Sequence, residues 1–530
     1  LDELRPDRTI GHTYDAAGNV TQVDWGDGRK TEFTYDAFNR MVEAQAEGDR
    51  GIKRTFDADG HLVTELQGDE ALRWSFDAQG RVSRRAATWG TKQHFRWDAS
   101  GLVGLEDQTG QSHRFTHDAW GRRSGWSQPG GVTRTKRCDV LGRLTADSLV
   151  LPGGDLAVDR RLTWSEDDTI VAIDEQGTER KGRDDFSYDD AGRLISWRGD
   201  GVDHKYEFDD ADNILKETGR ADRTFEADRL IEDEEGLRYR YDGMGRQVAV
   251  EGKGGTRRLW FDGRDRLTRV HMPDDTLVHH QYDAVGRRAE SIAEYPDGRV
   301  TCEKFYWDGS NLARRVAYDL ATDDITRDEE YAFDPEFAFQ PLFRVIRGGE
   351  DGGDVQYYST DQRGAAIRLT DNDGKMLWSA KYDPYGRCTE KGSEAGEQPL
   401  RMMGQVQDSA SGLSWHRFRV YDSESGRFVS ADPLGLDGGT AAYGYPADPI
   451  GWVDPLGLAN CTIEANKAQG DAFEAKTASD MQSQGITVTR EVTVVTDSGV
   501  RTRLDIVGQQ NGVVVQLVEC KSSATAPLTA

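Results

Sequence analysis

The feature that most constrains this chain is a motif close to aromatic-Asp-x-x-Gly-Arg that returns along most of its 530 residues. It reads YDAAGN at Tyr14, YDAFNR at Tyr35, FDADG at Phe56, FDAQGR at Phe76, WDASG at Trp97, HDAWGR at His117 and CDVLGR at Cys138. After a stretch where TWSEDD near Trp164 is a worn copy, it resumes as YDDAGR at Tyr188, FDDADN at Phe208, YDGMGR at Tyr241, FDGRDR at Phe261 and YDAVGR at Tyr282. A spacing of about twenty residues is a solenoid-type period, in which one small unit is stacked many times.

The unit carries its own physics. In TEFTYDAFNRMVEAQ, Phe33 and Tyr35 alternate with polar residues, the pattern of a strand with one buried face. The Asp can close an Asx-turn, and the Gly or Asn can take a positive backbone angle. A second turn such as GDG at 26–28 sends the chain back, which makes the unit a β-hairpin. One hairpin cannot bury its apolar face alone, so neighbours must join into a continuous sheet that coils or closes. The Tyr-Asp pairs therefore read as structural, none of them catalytic.

The rest of the composition excludes more than it assigns. With 67 Lys plus Arg against 94 Asp plus Glu the net charge is -27, which repels nucleic acid and anionic lipid from the chain as a whole. The five cysteines, Cys138, Cys302, Cys388, Cys461 and Cys520, lack paired or metal-ligand spacing, against a disulfide framework or a zinc site. No apolar run reaches membrane-spanning length. The chain opens Leu-Asp-Glu in mid-pattern, as a piece of a longer protein would.

The array ends in RVYDSESGRFVSADPLGLDGGTAAYGYPADPIGWVDPLGL, from Arg419 to Leu458, with two copies of Asp-Pro-Leu-Gly-Leu at Asp432 and Asp454. Asp-Pro-x-Gly is first a turn. Two copies allow two carboxylates to meet, and carboxyl groups that share a site hold one proton between them. One can then serve as general base on water while the other protonates the leaving amine, without metal or cofactor. Because the turn follows Asp454 at once, the bond between Leu458 and Ala459 can fold back toward that carboxylate and be cut in cis. Asp422, Asp437 and Asp448 are the alternative acids, each better suited to a turn.

The repeats and the double Asp-Pro turn resemble the Rhs or YD-repeat family, which includes bacterial polymorphic toxins and the C subunits of insecticidal toxin complexes. The resemblance covers residues 1–458. It implies a mainly β fold, a hairpin array over residues 1–329 spiralling into a hollow shell, closed by residues 330–418. It further implies that residues 419–458 form an aspartyl autoprotease in which Arg419 in RVYD assists Asp432 and Asp454. Family context implies delivery of the effector from the producing bacterium into a target cell by type VI secretion. A spike or adaptor would dock through a region N-terminal to Leu1, and a cognate immunity protein would protect the producer.

Beyond Leu458 the composition shifts, and residues 459–530 read as a separate module. Ala465, Ala468, Ala472 and Ala475 form a helical stripe that stops at Gly485. Strands follow from Ile486, Val500 and Val513, with turns at DSG from Asp497 and GQQNG from Gly508. Asp505 in the middle strand and Glu519 at the end of the last offer hard oxygens to Mg²⁺. Lys521 lies one strand step further on the face of Glu519 and can work on a water, while Cys520 faces away. Helix, strands and D…E-x-K resemble the PD-(D/E)xK nucleases, a small α/β fold, which adds Glu474 as an acidic candidate on the first helix. That family continues past this point with a helix and a strand, and its substrate would be DNA or RNA. Two other readings stand beside the toxin: a non-enzymatic adhesion array, and the same shell with a non-nuclease cargo.

Overall fold

The computed structural model describes residues 2–4, 9–177, 181–199, 201–348, 353–392, 394–435 and 441–458, and the backbone of strands 487–495, 501–510 and 513–518. Every regular element among them is a β-strand. The first sheet is an antiparallel meander of 21 strands running from Asp2–Leu4 to Ile214–Glu217, and the second one of 16 strands running from Thr224–Glu226 to Cys388–Lys391.

The repeated motif explains why the meander forms. At Asp36, Oδ1 accepts the amides of Phe38 at 2.9 Å and Arg40 at 3.0 Å, and Oδ2 accepts Nε of Arg40 at 2.7 Å. Asn39 supplies the positive φ of 61° that the turn requires. The guanidinium of Arg40 then reaches the next repeat, 4.5 Å above the ring of Phe56, with a donor 3.4 Å from the carbonyl of Asp57. Arg81 does the same on Trp97 and Asp98, Arg193 on Phe208 and Asp209, and Arg246 on Phe261 and Asp262. Each Asp thus closes a turn, and each Arg clamps its turn to the neighbour. Ser165 stands in for Asp in the worn copy: its Oγ accepts the amides of Asp167 and Thr169, with Asp168 at φ 59°.

Each of these pairings slips by one residue beside the motif aromatic, between Thr34 and Tyr35, Thr55 and Phe56, Ser75 and Phe76, and Gln281 and Tyr282 among others. A bulge bends its strand and raises the local twist, so a bulge in nearly every hairpin curls the whole meander into a shell wall. The second sheet coils against the first. Gly263 donates to Asp27, Trp307 exchanges hydrogen bonds with Gln67, and Leu102 donates to Glu336, partners 236, 240 and 234 residues apart. At Arg50 the contact is backbone pairing: its amide donates to Tyr282 and its carbonyl accepts from Ala284, at 2.9 and 2.8 Å. A core of Phe95, Leu105, Phe115 and Trp126 from one wrap with Phe343, Val345 and Tyr357 from the next seals the layers.

Charge is also buried there. Glu329 accepts from Arg315 and Arg344, each at 3.1 Å, and from Tyr331 at 2.6 Å, and all three charged side chains are essentially fully buried. Removing the shared acid takes one carboxylate from two desolvated guanidinium groups, although Arg315 keeps Glu397 at 2.8 Å and Glu303 at 3.3 Å and Arg344 keeps Gln356 and two backbone carbonyls, a loss worth about 1.5–3 kcal/mol. Glu329→Ala should therefore lower the thermal unfolding midpoint by several degrees in a calorimetric scan, while Asp59→Ala on an exposed turn should scarcely move it. Equal midpoints for Glu329→Ala and wild type would show that the cluster is not holding the wall.

Residues 394–435 and 441–458 leave the spiral and seat against both sheets as a plug. Four short strands, Val406–Gln407, Ser414–Trp415, Val420–Asp422 and Arg427–Phe428, form a small sheet of their own. This segment is stitched to the wall where Gln247 donates to Val429 at 2.8 Å and Leu194 to Ala447 at 3.0 Å, and where Arg427 donates to Asn213 at 2.6 Å.

Beyond it, strands Thr487–Val495, Arg501–Gln510 and Val513–Val518 form an antiparallel sheet. The turn expected from Gly508 is shorter than GQQNG: the strand runs on to Gln510, paired with Val513, leaving only Asn511 and Gly512 between. The expected helix around Ala465–Ala475, with Glu474, lies outside the described residues, as do Ala459, Glu519 and Lys521.

Candidate active site

Arg419, Asp432 and Asp454 come together in the plug. Arg419 sits just ahead of strand Val420–Asp422, and each Asp opens one of the two Pro-Leu-Gly turns. A single guanidinium nitrogen, Nη2 of Arg419, lies 2.8 Å from Oδ2 of Asp432 and 3.3 Å from Oδ2 of Asp454, and all three side chains are about 1–2% exposed. The rest of the fork is committed to backbone. Nε donates to the carbonyl of Gly457 at 2.6 Å and Nη1 to that of Ala442 at 3.1 Å, with the group 3.7 Å above the ring of Phe428. Arg419 is therefore more than an orienting charge, because it also pins the segment leading to Leu458. A lysine has neither the fork nor the plane to do the same.

The two carboxylates are held differently. Asp454 Oδ1 accepts the amides of Gly457 at 2.8 Å and Leu458 at 3.0 Å, so the carboxylate lies against the chain one residue short of the expected scissile bond. Asp432 Oδ1 accepts the amide of Leu434 at 2.8 Å, while its buried Oδ2, though close to Arg419, has no hydrogen bond of good geometry. Burial pushes the pKa of Asp432 up; Arg419 and the Leu434 amide oppose that, and the neighbouring Asp454 adds to it. Asp432 is thus the carboxyl inclined to hold a proton.

Glycines let the turns approach this closely. Gly457 has φ +72°, and a Cβ there would sit 3.1 Å from Cβ of both Arg419 and His416. At Gly404, a Cβ would lie 2.1 Å from the carbonyl oxygen of Pro455. A left-handed alanine costs about 1–2 kcal/mol, and about 1.4 kcal/mol is a factor of ten in rate. If the chain is cut after Leu458 as the sequence leads one to expect, Gly457→Ala should slow that cut about tenfold in a pulse-chase, and an unchanged rate would show that this close approach is not needed for it.

The other acids are occupied elsewhere. Asp422 pairs with Arg257, and Asp448 caps the amides of Ile450 and Gly451 at 3.0 and 3.1 Å. Asp437 is outside the described residues. In the small C-terminal sheet Asp505 lies on the middle strand beside Ile506, whose ladder partner Val518 directly precedes Glu519. Gly404, Gly457, Ala442 and Phe428 were not legible as site residues, since a carbonyl acceptor or a space for backbone leaves no pattern of its own. Only the second Asp-Pro-Leu-Gly-Leu copy hinted at Gly457.

A coiled meander of Asp-turn hairpins, closed by a plug bearing an Arg-Asp-Asp cluster, defines the class of YD-repeat β-shell proteins. Family models described as "RHS protein" and "RHS Repeat" match residues 355–391 and 14–50. The chain belongs to the Rhs, or YD-repeat, family. It is 34% identical over 487 residues, 84% of this chain, to double-stranded DNA deaminase toxin A of Burkholderia cenocepacia. It is 29% identical over 464 residues, again 84% of this chain, to the probable deoxyribonuclease RhsA of Dickeya dadantii, and 27% identical over 499 residues, 85% of this chain, to toxin protein Tse5 of Pseudomonas aeruginosa. The chain spans about a third of the length of these relatives, 30%, 30% and 34% respectively. Its fold matches the crystal structure of TcdB2-TccC3-TEV with a TM-score of 0.61 at 15% identity, over 86% of this chain and 28% of that one.

Proposed function

We propose that this chain is the closing part of a toxin-delivery shell that releases its own C-terminal cargo by a single aspartyl cleavage between Leu458 and Ala459. The observation that carries this reading is the buried cluster in which one nitrogen of Arg419 serves both Asp432 and Asp454, against the backbone that leads into that bond. In the cleavage, Asp454 is the base that takes a proton from water as the oxygen attacks the Leu458 carbonyl carbon. Asp432 gives its proton to the nitrogen of Ala459 as the bond breaks, leaving a carboxylate on Leu458 and a free amine on Ala459. Arg419 holds Oδ2 of Asp454 at 3.3 Å and stabilises the charge that develops. A metal has no part in this step.

The names of the relatives support a toxin, and their differences support a modular one. A deaminase and a deoxyribonuclease each align with the same share of this chain, so the part in common is the carrier. For the cargo we take the metal-dependent nuclease reading, with Mg²⁺ held by Asp505 and Glu519, Glu474 assisting, and Lys521 acting on water. A deaminase is the second reading, after the 34%-identical relative. An effector of this kind is made in a bacterium, delivered into a target cell through a spike or adaptor, and neutralised at home by an immunity protein.

The test is whether cut pieces stay together. The purified chain should elute as one body on a sizing column yet separate into two on a denaturing gel, the smaller beginning at Ala459. A single uncut band from a folded preparation would instead favour an adhesion array.

A further inference from the structure

We propose that the outer face of the wall between Arg73 and Arg137 is a docking surface for anionic lipid headgroups. Residues 71–143 hold 13 Lys and Arg against 6 Asp and Glu, in a chain whose net charge is -27, so basic charge is gathered in one stretch of wall. On strands Glu70–Phe76, Val82–Ala87, Lys92–Asp98, Ser112–His117 and Thr133–Cys138, the side chains of Arg73, Arg84, Lys92, Arg96, Arg114 and Arg137 are exposed. Among the described residues none of these six side chains makes an ion pair or a hydrogen bond. Exposed arginines elsewhere on the wall do: Arg161 pairs with Asp159, Arg183 with Asp174 and Asp185, and Arg238 with Glu232. Successive strand residues point to opposite sides, and the alternate positions Phe95 and Phe115 share a core with Phe343 and Val345 of the second sheet. The cations therefore face away from that sheet.

They lie in rows across the strands. Arg73 and Lys92 both stand opposite Ala86, and Arg96 and Arg114 both stand opposite Gly104. A Cβ on Gly104 would sit 2.7 Å from Nη2 of Arg96 and 2.8 Å from its Nε, so that guanidinium lies across the glycine, toward Arg114. Of the acids in the stretch, Asp77, Asp98, Asp118 and Asp139 cap turns at the strand ends. Asp107 is buried, which leaves Glu106 exposed among the cations. Like charges gathered in this way repel one another, and phosphate relieves the repulsion by accepting bidentate, charge-assisted bonds from guanidinium. The breadth of the face selects a bilayer. From strand Glu70–Phe76 to strand Thr133–Cys138 the wall spans about 30 Å at the usual strand spacing, and a bilayer sets a phosphodiester under every cation. Between Arg73 and Thr116 no large apolar side chain is exposed among the described residues, whereas Trp120 and Val140, 61% and 88% exposed, project from two turns at the rim. These turns adjoin, since Arg122 of one donates to the carbonyl of Asp139 in the other at 2.8 Å. A charged centre with an apolar rim inverts the usual protein–protein interface, and it suits a membrane surface, where Trp settles at headgroup level. The acids elsewhere on the chain are screened beyond about 8 Å at physiological salt.

The test is flotation of the purified chain with vesicles of phosphatidylcholine, alone or mixed with phosphatidylglycerol. The wild type should rise with the mixed vesicles, stay behind with the neutral ones, and be released as salt is raised from about 0.1 to about 0.5 M. A cation near an anionic bilayer is worth about fivefold in binding. Arg84→Gln, Arg96→Gln and Arg114→Gln combined should therefore weaken flotation about 100-fold, and Glu106→Gln should strengthen it about fivefold, which decides the matter if the triple variant fails to fold. Arg161→Gln, Arg183→Gln and Arg238→Gln combined change the net charge equally, on arginines that already face an acid, and should bind within about threefold of wild type. A wild-type chain that ignores the anionic vesicles, unchanged binding in Glu106→Gln, or an equal loss in the two triple variants overturns the proposal. Capture by double-stranded DNA or polyglutamate without flotation also overturns it, and gives the face to another polyanion.

Discussion

Asp454→Asn is expected to leave the chain in one piece, and so is Asp432→Asn. At Asp454 the amide keeps the size and can still accept the amides of Gly457 and Leu458, now at 2.8 and 3.0 Å, so the turn survives while the base is lost. At Asp432 the amide cannot supply the proton that the amine of Ala459 needs on leaving. Loss of a general acid or base costs about 10²–10⁴-fold, enough to turn a cut made during folding into one too slow to see on a gel. Arg419→Ala should be nearly as severe, because it frees both carboxylates and also the carbonyls of Gly457 and Ala442. Arg419→Lys should not restore the rate. The pH dependence follows from Asp432, whose raised pKa favours the protonated acid: in the wild type, cleavage should slow as the pH rises through that pKa. Burial of the neutral form contributes stability at low pH that is lost along the same interval. A rate that instead climbs with pH would exchange the roles of the two carboxyl groups.

The second large effect concerns the cargo. In the nuclease reading, a segment beginning at Ala459 should degrade nucleic acid with Mg²⁺ and stop in excess chelator. Lys521→Ala should lower the rate by about 10²–10³-fold, the usual cost of removing one preorganised electrostatic group, and leave Mg²⁺ affinity nearly unchanged. Asp505→Ala should lose both activity and metal binding, since its carboxylate is assigned to the ion itself. Calorimetric titration of Mg²⁺ into the two variants separates ligand from water-activating residue. Undiminished degradation in chelator, or by the Asp505 and Lys521 double variant, would end the nuclease reading and leave the shell account untouched.

The wall was legible in the sequence because its determinants are local. Asp36, Asn39 and Arg40 lie within five residues, and each does in the structure what its type suits it for: capping amides, taking a positive φ, bridging to the next aromatic. The coiling of one wrap on another was legible only as a necessity, since the pairing of Arg50 with Tyr282 and Ala284 joins distant positions that carry no mark of each other. At the site, the two Asp-Pro-Leu-Gly-Leu copies announced Asp432 and Asp454, and the family resemblance supplied Arg419. That the guanidinium also holds Gly457 and Ala442 was hidden, because any residue can present a carbonyl. The strand from Arg501 shows the opposite case: it runs on to Gln510, paired with Val513, through residues that the sequence assigned to the GQQNG turn.

A chain that cuts itself at one bond is recognised by intact-mass measurement of the freshly purified, denatured protein. Self-cleavage at this site gives two masses, one ending at Leu458 and one beginning at Ala459, that merge into a single full-length mass in Asp454→Asn. A wild-type chain found whole, or fragments that persist with the same ends in Asp454→Asn, would contradict it.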